Sequence, residues 1–443
     1  MDMTIRRRAA GAGFVASLLM FAPQAAVAQD EVTFSRDVAP ILQQRCQTCH
    51  RTGQMAPMSL VTFDEVRPWA RAIRNNVAER SMPPWHIDKT IGIQEFDNDI
   101  SLSEAEIDTI LRWVDAGAPR GNPADMPPPI DWPSDEIWRL EERYGRPPDL
   151  VVSSPPWTQD AEGQDQWWQP VVETGLTEDR WATGIEIRPT IEGRRITHHS
   201  NVYLQQEEEP GDHVSVVDVT PRGSYFSEFA IGKIGDVFRE DTGKLVKAGS
   251  RFTFDSHYHS VGEEVTAQTD VGVWFYPLGV VPKYRVYGQA MGARQSQQDM
   301  DLPPGVETVH HAYIPLPAPA RLENYQPHMH IRGKAMSMEA IYPDGRVEML
   351  NHVAEFDFNW HVNYVYTDDS APVLPRGTVI KLTAWHDNTA SHRNNPDPRQ
   401  WVGWGQRSYD DMYHAHVNVT YLTDEDYEQI VAGRRAKQSN NQQ

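Results

Sequence analysis

Short segments that alternate apolar and polar residues fill the sequence from about residue 158 onward, and they constrain the fold more than any other feature. The clearest of these segments are GIEIRPTI, SVVDVTP, SRFTFDSHYH, DVGVWFYPL, MSMEAIYPDGRVEML and HAHVNVTYL. A period of two with β-branched and aromatic enrichment indicates strands, and Pro343-Asp344-Gly345 indicates a turn. Many short strands without intervening helices are typical of β-sandwiches. Because the stretch is too long for one sandwich, we predict two all-β, jelly-roll-like sandwich domains at 158–298 and 299–430, followed by a polar tail at 431–443.

The region before these strands has a different pattern. Residues 29–122 show helical periodicity, and the pairs Thr62/Glu65 and Ser103/Glu106 have the spacing of capping boxes at helix starts. Residues 123–157 carry proline clusters that neither a helix nor a central strand accepts. We therefore predict a small all-α domain at 29–122 and a Pro-rich linker at 123–157 that packs along the surface.

Residues 1–28 have the three parts of a secretory signal peptide. Arg6, Arg7 and Arg8 precede the apolar run GAGFVASLLMFA, and Ala26-Val27-Ala28 forms a small-residue cleavage site. The apolar run is too short to span a membrane comfortably, and no later segment approaches a spanning length. The sequence predicts an exported protein, periplasmic or secreted, without a membrane span in the mature chain. The consecutive arginines leave both the Sec and the twin-arginine route open.

The chain is acidic, with 41 Lys and Arg against 62 Asp and Glu and a formal net charge of -21. Nucleic-acid-binding proteins carry a basic face, so this balance argues against such a partner. We interpret the acidity as a contribution to solubility.

The only two cysteines stand in the motif Cys46-x-x-Cys49-His50. This spacing attaches a c-type haem, with the thiols adding to the vinyl groups and His50 as the proximal iron ligand. The sequence therefore predicts one covalent haem c and identifies 29–122 as a cytochrome c domain. We predict Met82, held extended by the two prolines that follow it, as the second axial ligand, with His86 and Met58 as alternatives.

Histidine is frequent, with 17 residues, many of them paired in the β region. Side chains at i and i+2 of a strand share a face, so His328 and His330 can bind one ion. Adjacent histidines can do so only at a strand end or an irregularity. Imidazoles suit several metals, and a thioether partner such as Met412 favours copper over zinc. Surface or hydrogen-bonded histidines are the alternative for any single pair. The clusters are His198-His199, His257 and His259, His310-His311, His328 and His330, and His414 and His416.

The order His-His, His-Tyr, His-x-His and Asp-Asp-Met resembles the copper type II monooxygenases, the family of the peptidylglycine alpha-hydroxylating and dopamine beta-monooxygenases. The resemblance implies two sandwich domains that each hold one copper ion across an open cleft. It implies that one copper relays an electron and that the other binds O2 and abstracts hydrogen from a substrate C–H bond. The implied relay ligands are His198, His199 and His257, and the implied catalytic ligands are His328, His330 and Met412.

The sequence departs from this family at several positions. The β region has no cysteine, whereas the animal enzymes have disulfides. Gln326 stands where the peptide-hydroxylating enzyme has an arginine that holds the substrate carboxylate. His414 and His416 replace its asparagine and tyrosine. A glycine-extended peptide is therefore not the expected substrate. His414 and His416 could contact substrate or compete for copper, His259 could replace His257, and His310-His311 is interpreted as structural.

These features lead to a functional hypothesis. The chain is expected to be a dicopper, haem c-containing monooxygenase that hydroxylates a small organic substrate with O2. Its haem domain would relay electrons from a periplasmic donor. The alternative is a non-enzymatic periplasmic protein for copper binding or electron transfer. A third interpretation, zinc or another structural metal, is disfavoured by Met412.

Overall fold

The computed structural model describes residues 31–441, apart from 55, 133, 135, 210–221, 231, 232, 234 and 293–299. This part of the chain is mostly β-sheet with few helices. The predicted signal peptide and the predicted strand SVVDVTP lie outside the described residues. Among the helices that are described, none combines the length and the apolar composition needed to cross a membrane.

Most of the helices lie in the N-terminal region, around a small core of their own that includes Phe34, Leu42 and Trp113. Both predicted capping boxes are present, at Thr62 and at Ser103. Pro68 lies in a 3-10 turn, Arg67–Trp69, that separates the first helix after Thr62 from the next. A π-helical turn, Phe34–Val38, precedes the first α-helix. The α-helices α1 to α6 are Ala39–Arg45, Phe63–Val66, Ala70–Ala78, Glu104–Asp115, Glu141–Tyr144 and Asp424–Asn441.

The strands follow from Leu150 onward and include five of the six segments predicted from alternation. The described strands, β1 to β24 in chain order, are Leu150–Ser153, Trp157–Gln159, Gln166–Trp168, Val171–Glu173, Arg180–Pro189, Thr197–Gln205, Ser224–Ala230, Asp236–Val237, Thr242–Val246, Arg251–Tyr258, Val265–Ala267, Thr269–Phe275, Tyr284–Gly292, Asp301–Leu302, Glu307–Pro315, Ala320–Leu322, Asn324–Met329, Gly333–Ile341, Val347–Val353, Tyr364–Val365, Val373–Leu374, Val379–Asp387, Val402–Gly403 and Tyr413–Tyr421.

Two layered β units account for these strands. In the first, the sheet β3-β10-β6-β7 packs against the β1-β12-β5 portion of a larger sheet, around apolar residues such as Val202, Phe254 and Val271. In the second, the sheet β15-β22-β18-β19 packs against β16, β17 and β24 around Met338 and Val417. The sandwich architecture predicted from the sequence therefore agrees with the structure.

The two units share one continuous sheet. Strand β9 of the first unit pairs in parallel with β13, and β13 pairs with β24 of the second unit from Val286 to Gly292. Strand β13 pairs with strands of both units and therefore joins them, and the predicted domain boundary of 298/299 stays a prediction. The periodicity of a strand predicts its faces but not its partner, so this connection could not be predicted from the sequence.

The segments around the β units pack more closely than the sequence suggested. Trp85, Ile87 and Phe96, within the predicted all-α domain, are buried in the core of the second unit. The predicted linker contributes β1, which pairs with β12. The predicted polar tail continues α6, in which Arg434 donates hydrogen bonds to the carbonyls of Asp368 and Ala371.

Candidate metal centre

Three histidines of the first β unit converge at one end of its inner strands. His199 on β6 pairs directly with His257 on β10, and Thr197 pairs with Tyr258, so His198 is the extra residue of a bulge. A bulge re-aims the side chain that it carries. The ligand nitrogens of His198, His199 and His257 all lie within 4.8 Å of one another. The irregularity that two adjacent histidines need in order to share an ion is therefore present.

Two histidines of the second β unit lie close together, and the backbone of Met412 lies beside that of His330; His328, His330 and Met412 are called the second set. The rings of His328, on β17, and His330, directly after it, have centroids 5.4 Å apart. Strand β17 pairs with β24 such that His328 lies opposite His414. Continuing this register by two residues sets His330 opposite Met412, which is half-buried and directly precedes β24. Directly opposed residues of an antiparallel pair share a face.

Asp411 fixes the backbone around this second set. Its carboxylate is fully buried and accepts hydrogen bonds from the amides of His330, at 3.1 Å, and of Met412, at 2.9 Å. Nε2 of His386 lies 3.3 Å from the same carboxylate. Burial raises the pKa of Asp411, but His386 and the hydrogen bond from His330 outweigh it, and the net shift is downward.

The two sets adjoin one another. The ring centroids of His199 and His328 are 6.1 Å apart. The resemblance implied two copper sites on opposite sides of an open cleft, and this implication differs from the arrangement found. The first set lies on β6 and β10 and the second on and after β17, and together they form one continuous cluster of imidazoles.

A further histidine, His361, lies between the two sets. It comes from the segment that connects β19 to β20, and its ring centroid is 5.2 Å from that of His198 and 4.6 Å from that of His328. Phe358 of the same segment stacks on His198, with centroids 4.7 Å apart. Sequence analysis missed His361 because it is a single histidine in NWHVNY, without a neighbouring histidine to signal a cluster.

Burial favours the neutral form of several imidazoles in the cluster. It lowers the pKa of His198, His199 and His328 well below the ordinary value, and the neighbouring histidines lower it further. Burial also lowers the pKa of His361, to about 4. Neutral imidazole is the form that binds a metal ion, so metal ions need not displace protons from these rings at neutral pH.

The residues at which this sequence departs from the family form a buried polar network. Gln326 donates hydrogen bonds to the Glu228 carboxylate and to the carbonyl of His361. Nδ1 of His416 lies 3.5 Å from Glu228, and the His414 ring lies between those of His416 and His328. Gln326 is 1% exposed. It therefore ties the two β units together and is not free to replace a substrate-binding arginine.

Of the other histidines singled out from the sequence, His257 belongs to the first set, whereas His259, His310 and His311 do not. Nε2 of His257 is hydrogen-bonded to Asp165 at 2.9 Å, which leaves Nδ1 for an ion, and His257 joins the first set where His259 does not. His310 packs against His386, and Nδ1 of His311 is hydrogen-bonded to the Thr383 hydroxyl. These two lie on β15, in the outer sheet of the second unit.

The Cys46-x-x-Cys49-His50 motif, predicted to attach haem, lies at the end of α1 in the helical region. Cys46 and Cys49 are free thiols, and burial raises the pKa of Cys46 to about 12. Nδ1 of His50 lies 3.3 Å from the carbonyl of Met58, an arrangement that leaves Nε2 for an iron ligand. Arg139 links this loop to the first β unit, because its guanidinium bonds to Gln54 and its amide to Glu186.

The candidates for the second axial ligand lie in different surroundings. Met82 is half-buried after α3, with its amide bonded to the carbonyl of Asn76. Met58 packs against the same apolar cluster as Cys46. His86 lies beside the second β unit and donates its amide to the Tyr364 hydroxyl. The axial role of Met82 stays a prediction.

The residues present fit the groups that the sequence implies. The cluster offers imidazoles with one thioether nearby, a donor set suited to copper. Nε2 of His361 is buried there without a hydrogen-bond partner among the described residues. Two free thiols followed by a histidine with one engaged nitrogen fit a covalent haem.

Comparisons with known proteins give no relative of informative similarity. No protein-family model matches the sequence, and no curated protein matches it. Among solved structures, PNGase F, a glycosylasparaginase from Flavobacterium meningosepticum, matches with a TM-score of 0.29 and 10% identity over 62% of this chain and 97% of that chain. The major capsid protein P2 from bacteriophage PM2 matches with a TM-score of 0.27 and 10% identity over 61% of this chain and 96% of that chain. Likenesses this weak carry no functional meaning.

Proposed function

We propose that this protein is an exported monooxygenase, containing copper and haem c, that hydroxylates a C–H bond of a small organic substrate. The observation that carries the proposal is the convergence of His198, His199 and His257, whose ligand nitrogens lie within 4.8 Å of one another. A second set, with two imidazoles and a methionine nearby, adjoins it. The order of these residues along the chain resembles that of the copper type II monooxygenases.

The residues around the cluster have distinct roles in this proposal. His198, His199 and His257 would hold one copper ion, and the second set, His328, His330 and Met412, would hold the other. Copper would supply one-electron redox chemistry and oxygen activation, and haem c would supply electrons. The overall reaction consumes the substrate R–H, O2, two electrons and two protons, and it yields R–OH and water.

The chain itself positions the ligands. Asp165 orients His257 through Nε2, and Asp411 holds the amides of His330 and Met412. Carboxylates and carbonyls that bind the outer nitrogen of a ligand histidine fix its tautomer and its ring orientation. Burial of the rings excludes bulk water, which limits side reactions at a site that handles reactive oxygen species.

A non-enzymatic copper-binding or electron-transfer protein is the second candidate. The contact between the two sets favours it, because imidazoles packed ring to ring, with His414 stacked on His328 at 4.6 Å, would also suit storage or relay of copper. The presence of a separate thioether ligand candidate, Met412, favours the enzyme.

Metal analysis of the full mature protein, followed by oxygen-consumption assays with a reductant and a substrate panel, tests the proposal. We expect two copper ions and one haem per chain, with oxygen consumption lost in Met412→Ala. Met349→Ala, a half-buried methionine on β19, is the matched control and should retain activity. Copper binding without oxygen consumption in the unaltered protein would support the second candidate, and zinc or no metal would contradict both.

A further inference from the structure

His361 touches both histidine sets and is assigned to neither by the resemblance. Its ring centroid is 5.2 Å from that of His198, 5.5 Å from that of His199 and 4.6 Å from that of His328. The side chain is buried, with the residue 3% exposed. Its carbonyl accepts a hydrogen bond from Gln326 at 3.1 Å, which fixes the backbone at this point.

We propose that His361 is a fourth imidazole ligand of the metal ion held by His198, His199 and His257. The inference rests on the proposed function in that it takes the ion to be copper. A ring nitrogen of an imidazole ligand lies about 2 Å from its ion, so four tetrahedral imidazoles have ring centroids about 5 Å apart. The three rings of the first set are separated by 5.2, 5.2 and 5.1 Å, and His361 lies 5.2 and 5.5 Å from the rings of His198 and His199. The ligand nitrogen of His361 lies outside the group of three nitrogens that are within 4.8 Å of one another, so its ring must turn or move toward the ion in order to bind it.

The free nitrogen of His361 supports this assignment. Nε2 is buried without a hydrogen-bond partner in the described part of the chain. The nearest buried carboxylate, Glu228, is already bound by Gln326 and contacts His416. A buried polar atom without a partner is costly, and ligation to an ion removes that cost.

A fourth ligand at the first set would give the two sets different functions. Four protein ligands close a coordination sphere, whereas a set with three protein ligands keeps a position for substrate or oxygen. The first set would then transfer electrons only, and the second would remain open. Because the His361 ring also contacts the His328 ring, a single side chain would join the two sites.

The test compares His361→Ala and His361→Gln with His352→Ala, a partly exposed histidine on β19 that packs against Trp385. The signal of the first set is isolated in a His328→Ala, His330→Ala background. In the full mature protein we measure copper affinity by chelator competition and nitrogen hyperfine coupling of Cu(II) by electron paramagnetic resonance. We expect both His361 variants to lower the affinity of the first set by about tenfold or more, with one nitrogen fewer in the coupling pattern.

Added imidazole should restore the pattern in His361→Ala, and His352→Ala should leave it unchanged. An unaltered spectrum and affinity in both His361 variants would overturn the inference. Unaltered protein that binds no copper would instead contradict the proposed function. Far-ultraviolet circular dichroism of the glutamine variant separates ligand loss from unfolding.

Discussion

At the scale of single residues, Asp411 has the largest structural effect on the second histidine set. One fully buried carboxylate accepts the amides of His330, Arg332 and Met412 and lies beside His386. Hydrogen bonds to a charged group contribute more than neutral ones, and removing the charge leaves the amides poorly matched. The position of two proposed ligands therefore depends on a residue that does not bind the ion.

Asp411→Asn should destabilise the protein by about 2 kcal/mol and weaken copper binding at the second set by about tenfold. Urea unfolding and chelator competition measure the two effects. Asp108→Asn, which removes an exposed i,i+4 ion pair with Arg112 on α4, is the control and should change stability by less than about 0.5 kcal/mol. Equal effects of the two substitutions would contradict the role of Asp411.

The pKa of His361 predicts how the metal-free protein responds to acid. In the unfolded chain this imidazole binds a proton below its ordinary pKa of 6.5, whereas burial in the fold lowers its pKa to about 4. The unfolded state binds more protons between these values, so stability is full above 6.5 and is lost as the pH falls toward 4. The loss from this residue amounts to about 3 kcal/mol.

Urea unfolding of the metal-free protein at several pH values between about 7 and about 4.5 measures this loss. His361→Gln has no titrating group at this position and should show a smaller decrease over the same range. A decrease of the same size in both proteins would contradict the assigned cause.

At the scale of elements, the pairing of β13 with β24 holds the strand that follows Met412. Gly292, the last residue of β13, pairs with His414 at a φ of +156°. A Cβ at this position would lie 2.5 Å from the Cα of His414. Only glycine allows the two strands to approach this closely beside the site.

Gly292→Ala should destabilise the protein by about 1–3 kcal/mol, because β24 must shift to accommodate the methyl group. The same shift should change the electron paramagnetic resonance spectrum of the second set. Gly433→Ala, in α6 with no atom close to the added methyl, is the control and should be neutral or slightly stabilising. A Gly292→Ala protein with unchanged stability would show that the close approach is not required.

Element-level features were largely predictable from the sequence, and long-range ones were not. Alternation predicted five of the described strand segments, and the spacing Ser103/Glu106 predicted a helix start, because both signals are local. The choice of β13 as a partner of β24 depends on packing between distant segments. His361 was missed for the same reason, since nothing in its neighbours along the chain distinguishes it from a surface histidine.

At the scale of the whole molecule, the helical region that carries the Cys46-x-x-Cys49-His50 motif contacts both β units. Arg139 links Gln54 of the loop to Glu186 on β5. On the other side, the segment after Met82 buries Trp85, Ile87 and Phe96 in the second unit. A haem carried on this loop would be tethered to the β units that hold the histidine cluster, and tethering raises the effective concentration of donor at acceptor.

Removing the two cysteines that are predicted to attach haem should distinguish electron transfer from a protein donor from electron transfer by a small reductant. In a Cys46→Ala, Cys49→Ala protein, we expect oxygen consumption driven by a protein donor to fall at least about tenfold, while a small diffusible reductant still supports it. Thr48→Ala, in the same loop, is the control, and copper content verifies that the cluster remains intact. A protein donor that works equally well in the double variant would contradict a relay through the haem.

The shared sheet has a mechanical consequence. Strand β13 pairs with β9 on one side and with β24 on the other. The two β units therefore cannot separate about a hinge without breaking strand pairing. The proposed reaction would therefore take place at a fixed separation between the two histidine sets, without a gap that opens and closes. A substrate of the proposed reaction would then reach the cluster through movement of loops and side chains at its rim, such as the segment that carries Phe358.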